Sequence, residues 1–182
     1  MKFPDSPFWN YSCRLFQLSD VADSCLSLQN SVAADVNLLL YCCWAGDNAI
    51  QLSSADIQQL IRASAPWQTA IIKPLRDARK MLKNQIIAMP APLHTQTITN
   101  LSEMELNAEH MAQLDLEKTL NFKTRSTTAD IPINISARNL MHYAQTLKPE
   151  LDDQITTQLT RVLNFIYGDE ELVQRAMTTT IG

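Results

Sequence analysis

Glycine is scarce in this sequence: only Gly46, Gly168 and Gly182 occur among its 182 residues. Hairpin turns and bulges of β-sheets depend on glycine because it adopts positive φ angles at little cost. Regular alternation of polar and apolar residues is also missing, apart from a short TQTIT stretch at 95–99. Leu, Ala and Gln, which favour helices, are frequent instead. The composition therefore predicts an all-α protein.

Long apolar runs are missing as well. A membrane-spanning helix needs about 20 consecutive apolar residues, and no stretch of the chain approaches that length. The first residues, MKFPDSPFWNYS, lack the apolar core of a secretory signal. The four cysteines include no C-x-x-C pair, and two of them, Cys42 and Cys43, are neighbours in an apolar segment. These features predict a cytoplasmic protein with reduced thiols and no transmembrane segment.

An excess of positive charge is a third absence. The formal net charge is −4 and the isoelectric point is about 5.3. Proteins that grip phosphate backbones are usually basic. We therefore expect no nucleic acid partner.

Motifs that carry catalysis or metal binding are also absent. None of the histidines, His94, His110 and His142, follows a glutamate at the spacing of the Glu-x-x-His metal motif. The sequence contains no G-x-S-x-G nucleophile motif and no glycine-rich phosphate loop. We therefore assign no catalytic residue, metal or cofactor. A non-catalytic role is favoured, although a novel active site would carry no motif.

What the sequence does contain is a series of amphipathic helical segments. With 46% hydrophobic residues, the chain is long enough to bury a core. We predict a single domain over residues 1–182, a compact bundle of about seven or eight helices. The segment DVNLLLYCCWA, 35–45, is apolar nearly all round, which predicts a central buried helix. Gly46 is expected to end it in a left-handed conformation.

Prolines and polar residues predict the boundaries further along the chain. Pro66 is expected to open a helix, and Pro74 is expected to kink that helix or divide it. The stretch MPAPLHTQTIT, 89–99, is expected to be a loop, with Asn100 and Glu103 capping the next helix. The C-terminal helices are expected over about residues 100–178.

Three blocks in the first half of the chain carry a family resemblance. They are FWNYS at 8–12, CLSLQ with DVNLLLYCCW between Cys25 and Trp44, and Trp67 with PLRDARKMLK at 74–83. In order and spacing, these blocks resemble a bacterial family of small helical proteins of unknown function, over residues 6–85. The resemblance implies a small, mostly helical, bacterial cytoplasmic protein. It implies no activity, cofactor or catalytic residue.

Asn37 is a side-chain amide near the start of the apolar helix, where it needs hydrogen-bond partners. Two structural readings are that it bonds backbone groups of the first turn or holds a neighbouring helix in register. A functional reading, which we favour less, places it in a ligand pocket with Arg76 or Arg79. Tyr41 shares a helix face with Asn37. The candidate ligand-binding residues are therefore Asn37, Tyr41, Arg76 and Arg79.

A basic stripe is predicted on the helix that follows Trp67. It comprises Lys73, Arg76, Arg79, Lys80 and Lys83. Such a stripe is suited to a phosphorylated ligand, an acidic partner or an anionic membrane. The favoured alternative is a solvated face whose cations pair with acids of a later helix. Those acids are Glu103, Glu105, Glu109, Asp115 and Glu117. The candidates for a surface interaction are Lys73, Lys80, Lys83 and Trp9.

Two functions follow from these residues. The first is a non-catalytic interaction or regulatory module with a protein partner or a second copy of itself. The alternative is a small enzyme or binding protein for an anionic or phosphorylated small molecule. In the alternative, Asn37, Arg76 and Arg79 converge on one concave pocket, whereas in the first they bond inside the chain.

Overall fold

The computed structural model describes residues 3–86, 88–125 and 127–181, and these residues form an all-α bundle. Within those ranges there are nine α-helices and no strand. They are α1 Pro7–Phe16, α2 Ser19–Val32, α3 Val36–Asp47, α4 Ser54–Trp67, α5 Lys73–Lys83, α6 Ala91–Thr119, α7 Pro132–Leu147, α8 Asp153–Tyr167 and α9 Glu170–Ile181. Because α4 and α5 are continuous through a π-helical turn, the nine helices make eight rods in the described part of the chain. The predicted fold class is confirmed.

Local signals explain several of the helix starts. Ser6 accepts a hydrogen bond from the Trp9 amide at 3.0 Å, and Pro7 occupies the first position of α1. Ser53 and Asp56 form a reciprocal capping box at the start of α4. These side chains satisfy amide groups that have no partner inside the helix, which is why the helices begin where they do.

The central position of α3 is confirmed. Most of its side chains are inaccessible, and its five most apolar interior residues each expose 4% or less. They are Leu38, Leu39, Leu40, Cys42 and Cys43. The helix packs chiefly on α7, while α8 and α9 complete the same core. A helix that is apolar all round must be covered on all sides, and this packing covers it.

Gly46 has a different role from the predicted one. It lies inside α3, and among the described glycines only Gly168 has a positive φ. A β-carbon built on Gly46 would lie 2.0 Å from Ser136 Oγ and 2.8 Å from the Ser136 amide nitrogen. The glycine therefore allows α3 and α7 to approach closely. The prediction of a left-handed cap is wrong because the requirement is for space between two helices.

A wide turn joins α4 to α5. Pro66 lies inside α4 and does not open a helix, and Pro74 lies in the first turn of α5. Between them the chain forms the π-helical turn Gln68–Ile72, which ends with the Lys73 amide donating to the Gln68 carbonyl. A proline ring crowds the carbonyl four residues earlier, and a wider turn gives it room. Pro74 therefore leaves the rod continuous.

The helix α6 begins earlier than predicted. Residues 91–99 are helical, so the predicted loop at 89–99 and the cap at Asn100 are wrong. The hydroxyls of Thr95, Thr97 and Thr99 each donate to the carbonyl four residues earlier, at 3.3, 2.7 and 3.1 Å. These hydroxyls would otherwise compete with the backbone, and bonding inside the helix lets a threonine-rich stretch remain helical.

The rod formed by α4 and α5 packs against α6 and carries its own small apolar cluster. Ile72, Ala108 and Ala112 are buried there, with Trp67 and Leu75 packed beside them. This contact holds the basic side chains of α5 beside the acidic side chains of α6. None of the described helices combines the length and the apolar character required to cross a bilayer.

Candidate ligand-binding site

A cavity of about 570 Å³ opens between the first three helices and the α5–α6 pair. Its apolar wall includes Trp9, Phe16, Leu26 and Leu40. The polar residues that line it include a group on α3, α5 and α6, called here the polar wall: Asn37, Arg76, Arg79, Glu105, Glu109 and Gln113. Three of the four candidate ligand-binding residues thus line one cavity: Asn37 from α3, and Arg76 and Arg79 from one face of α5.

Asn37 links α3 to α6 through both ends of its amide. Its Nδ2 donates to Glu109 Oε2 at 2.5 Å, and its Oδ1 accepts from Gln113 Nε2 at 2.7 Å. The side chain is 3% exposed. The amide therefore has the inter-helix role of the second structural reading, and it also faces the cavity.

Arg76 and Arg79 are held by carboxylates of α6. Arg76 donates from Nε to Glu105 at 2.8 Å and from Nη2 to Glu109 at 2.9 Å. Arg79 donates from Nε to the other oxygen of Glu105 at 2.7 Å. Arg76 also donates from Nη1 to Gln29 on α2 at 3.2 Å. Part of the basic stripe is therefore paired inside the chain, with two of the predicted acids.

The two carboxylates have pKa values shifted in opposite directions. Burial by itself would raise the pKa of Glu105, but the hydrogen bonds from Arg79 and Arg76 outweigh it and hold the pKa below its usual range. Burial raises the pKa of Glu109 from 4.5 to about 7, although Asn37 and Arg76 oppose the rise. Nearby carboxylates, including Glu105, also raise the Glu109 pKa. The polar wall thus contains one firmly charged carboxylate and one that titrates near neutrality.

This difference predicts a pH dependence of stability. An acid whose pKa is raised by folding stabilises the fold below its unfolded pKa, and it loses that contribution as the pH rises through its folded pKa. Between about pH 5 and pH 8, the free energy of unfolding should fall by about 2 kcal/mol more in the wild type than in Glu109→Gln. Urea denaturation at a series of pH values measures this. Glu103→Gln, at an exposed position of the same helix, should follow the wild type, and parallel curves for Glu109→Gln and the wild type would refute the assignment.

A second cavity, of about 460 Å³, adjoins the first. Gln29, Asn30, Arg76 and Lys80 line both cavities, so the bond between Arg76 and Gln29 stands at their boundary. The second cavity contains Asp35, the N-cap of α3. Its side chain accepts hydrogen bonds from Asn37 N at 2.9 Å, from Gln68 Nε2 at 3.0 Å and from the Ser64 hydroxyl. Burial raises the pKa of Asp35 despite these bonds.

Tyr41 lies apart from the other candidates. It is fully buried, and its ring packs edge-on against Phe8 and Trp44 with centroids 5.1 and 5.3 Å away. It lines neither cavity. An aromatic cluster one turn further along α3, which includes Phe8, Trp44 and Phe122, accounts for Tyr41, and the proposed site does not include it.

The remaining candidates occupy different environments. Lys73 is exposed and pairs with Asp77 four residues later at 2.5 Å. Lys80 lines both cavities, and Lys83 is exposed and lines neither.

Trp9 lines the larger cavity and stacks on His110 with ring centroids 4.1 Å apart. Within the residues described, no group of three His, Cys, Asp or Glu side chains is placed to hold a metal ion.

Several residues of the polar walls were not singled out from the sequence. Gln29, Asp35 and Gln113 belong to ordinary amphipathic helices or caps, and glutamines on helices carry no distinguishing pattern. Glu105 and Glu109 were named only as acids that pair with the basic stripe in the favoured alternative. The sequence did contain one signal: the helix around Asn37 is apolar, so the amide of Asn37 needed polar partners from another element.

The chain was compared with protein families, curated proteins and solved structures. No curated protein and no solved structure matches it. One family, described as "Protein of unknown function (DUF2390)", matches residues 7–116. The match extends beyond the residues 6–85 of the predicted resemblance and includes the α6 residues of the polar wall. Because it spans more than half of the chain, the chain belongs to this family of unknown function.

Proposed function

We propose that the protein binds a small molecule that has an apolar body and an anionic group, in the larger cavity. The observation that carries the proposal is the convergence of Asn37, Arg76 and Arg79 on one concave space. The same cavity has an apolar wall that includes Trp9. The proposal concerns binding, and no reaction is assigned.

Cationic groups at the cavity have donors left for a ligand. Arg79 uses only Nε for Glu105, and no described residue accepts a hydrogen bond from its terminal nitrogens. A guanidinium has five N–H donors, so four remain. Lys80 lines the same cavity and makes no ion pair with any residue that the structure describes. An anionic group placed beside Arg79 and Lys80 would be neutralised without disturbing the pairs of Arg76.

The size and apolar wall of the cavity suit the body of such a ligand. Small-molecule pockets usually have volumes of about 300–1,000 Å³ and mostly apolar walls, and this cavity holds about 570 Å³. Three apolar side chains at the cavity, Phe16, Leu26 and Leu106, are 41%, 44% and 58% exposed. Covering them with a ligand would remove apolar surface from water.

Compartment and partners are part of the same proposal. All four cysteines are free, and Cys25, Cys42 and Cys43 are buried, which suits the reducing bacterial cytoplasm. The interaction or regulatory module remains a prediction, with a protein partner or a second copy, and ligand binding is compatible with a regulatory role.

The probe 1-anilinonaphthalene-8-sulfonate tests the proposal because it combines an aromatic body with a sulfonate. We expect saturable binding to one site, followed by the rise in probe fluorescence. Arg79→Ala should weaken binding about tenfold, since it removes a charged hydrogen-bond donor. Lys83→Ala, one turn further along α5 and outside the cavity, should bind the probe as the wild type does.

Cys13 provides a second readout at the same cavity. Its thiol is half-buried and lines the cavity, whereas the other three thiols are buried. Bound probe should slow alkylation of Cys13 by N-ethylmaleimide, and Cys13→Trp should block binding by filling the space. The proposal fails if folded Cys13→Trp binds the probe normally, or if Arg79→Ala and Lys83→Ala have equal effects.

A further inference from the structure

The end of the α5–α6 hairpin has an unusual charge distribution. No Asp, Glu, Lys or Arg occurs between Lys83 and Glu103, and no acidic residue occurs between Asp77 and Glu103. The chain as a whole is acidic, with a formal charge of −4. The hairpin tip, defined here as residues 80–86 and 88–102, therefore carries two lysines at its base and an uncharged end.

This tip has no core of its own. Between Leu82 and Glu105, none of the described residues is buried. Met81, Ile86 and Leu93 are 50%, 65% and 60% exposed, and they are among the most exposed large apolar side chains of the protein. Apolar residues that project together without a core are typical of a surface that contacts a partner or a membrane.

Hydrogen bonds nevertheless give the tip a defined shape. The Ile86 amide donates to the Met81 carbonyl at 3.2 Å, which folds the chain back after α5. The His94 ring nitrogen Nε2 lies 2.8 Å from the Leu82 carbonyl oxygen, which brings the first turn of α6 beside the last turn of α5. The three exposed apolar residues are therefore held at one end of the hairpin.

The lysines at the base of the tip are available for an anionic surface. Lys80 and Lys83 are exposed and form no ion pair with any residue in the described ranges. A projecting apolar end flanked by lysines matches a lipid interface, where apolar side chains enter the headgroup boundary and the cations meet anionic lipids. An acidic groove on a protein would also attract the lysines, but its charged side chains would not provide apolar contacts for the uncharged end of the tip.

We propose that the hairpin tip docks on the surface of a membrane that contains anionic lipids. Ile86 and Leu93 enter the interface, and Lys80 and Lys83 contact the lipid headgroups. The association is peripheral, and of these four residues Lys80 also lines the larger cavity, whereas Lys83, Ile86 and Leu93 lie outside it.

Co-flotation of the full chain with vesicles tests the inference. We expect binding to vesicles of phosphatidylcholine mixed with phosphatidylserine, and little binding to phosphatidylcholine alone. The double reversal Lys80→Glu/Lys83→Glu should weaken binding at least about thirtyfold, because each lysine contributes to attraction at the anionic surface. The matched reversal Lys118→Glu/Lys123→Glu, at exposed lysines near the opposite end of α6, should have a much smaller effect.

A second pair of variants separates the apolar part from the electrostatic part. Ile86→Ser/Leu93→Ser should reduce vesicle binding. Because the lysines are retained, the remaining binding should still weaken as the salt concentration rises. The inference is overturned if the wild type fails to bind anionic vesicles, or if both lysine reversals weaken binding equally. It is also overturned if the serine variant leaves vesicle binding unchanged but converts a lipid-free dimer to a monomer in sedimentation, because the tip would then bind a second copy.

Discussion

Gly46→Ala is expected to destabilise the protein by about 3 kcal/mol, although it adds a single methyl group inside a helix. The new β-carbon would lie 2.0 Å from Ser136 Oγ, 2.8 Å from the Ser136 amide nitrogen and 3.0 Å from its Cα. A serine side chain can rotate away, but the backbone of α7 cannot move without disturbing the core that it forms with α3. Urea denaturation followed by circular dichroism measures the loss.

The sign of this effect is informative. In an ordinary helical position, replacing glycine by alanine stabilises by about 0.5–1 kcal/mol, so a neutral or stabilising result would contradict the close approach of α3 and α7. Adding Ser136→Ala to Gly46→Ala should recover only part of the loss, because the backbone contacts remain. Gly168→Ala is the matched control. This substitution should lower the free energy of unfolding by about 1 kcal/mol because alanine is strained at a φ of +69°. It creates no steric clash, since no neighbouring group lies within 4 Å of the new β-carbon.

Arg76→Ala is expected to cost about 4 kcal/mol, because it removes the shared partner of two carboxylates. Arg76 is bonded to Glu105, Glu109 and Gln29, and its side chain is only 18% exposed. Without the guanidinium, the poorly solvated carboxylates of Glu105 and Glu109 would repel each other with no Arg76 charge between them. Chemical denaturation near pH 8, where Glu109 is largely ionised, should show the full loss.

Two further variants distinguish this explanation from a simple loss of packing. Arg76→Met/Glu109→Gln should be more stable than Arg76→Ala, because it restores apolar contact and removes one orphaned carboxylate. Lys73→Ala should be indistinguishable from the wild type, because its pair with Asp77 is exposed to solvent. If Arg76→Ala proved as stable as Lys73→Ala, the buried ion-pair network would not be contributing to stability.

The side chains of the polar wall both hold helices together and line the larger cavity. Asn37 and Arg76 bond inside the chain, as the module hypothesis expected, and with Arg79 they line one cavity, as the ligand hypothesis expected. The two expectations were framed as alternatives, but a network that holds three helices together also surrounds the space between them. Arg79 is the better probe of binding because it makes a single described hydrogen bond.

Local features of the sequence predicted most of the architecture. Scarce glycine and helical periodicity indicated the all-α fold, and an apolar segment around Leu39 indicated the central helix. Serine caps such as Ser6 and Ser53 are local signals of the same kind, since a cap acts on amides only three residues away. The start of α6 was missed because threonine favours extended structure by itself, and its hydroxyl bonds to the helix backbone depend on the helix already being formed.

The sequence by itself determined that Asn37 must have polar partners, because a buried amide cannot remain unsatisfied at low cost. Only the tertiary structure decided that these partners are Glu109 and Gln113, and that Arg76 joins them. The same holds for Gly46, whose small size matters only because Ser136 of a distant helix approaches it. Helix propensity and capping act within a few residues of the chain. The hydrogen-bond partners of Asn37 and the space beside Gly46 depend instead on which helices pack together, and no local sequence pattern encodes that packing.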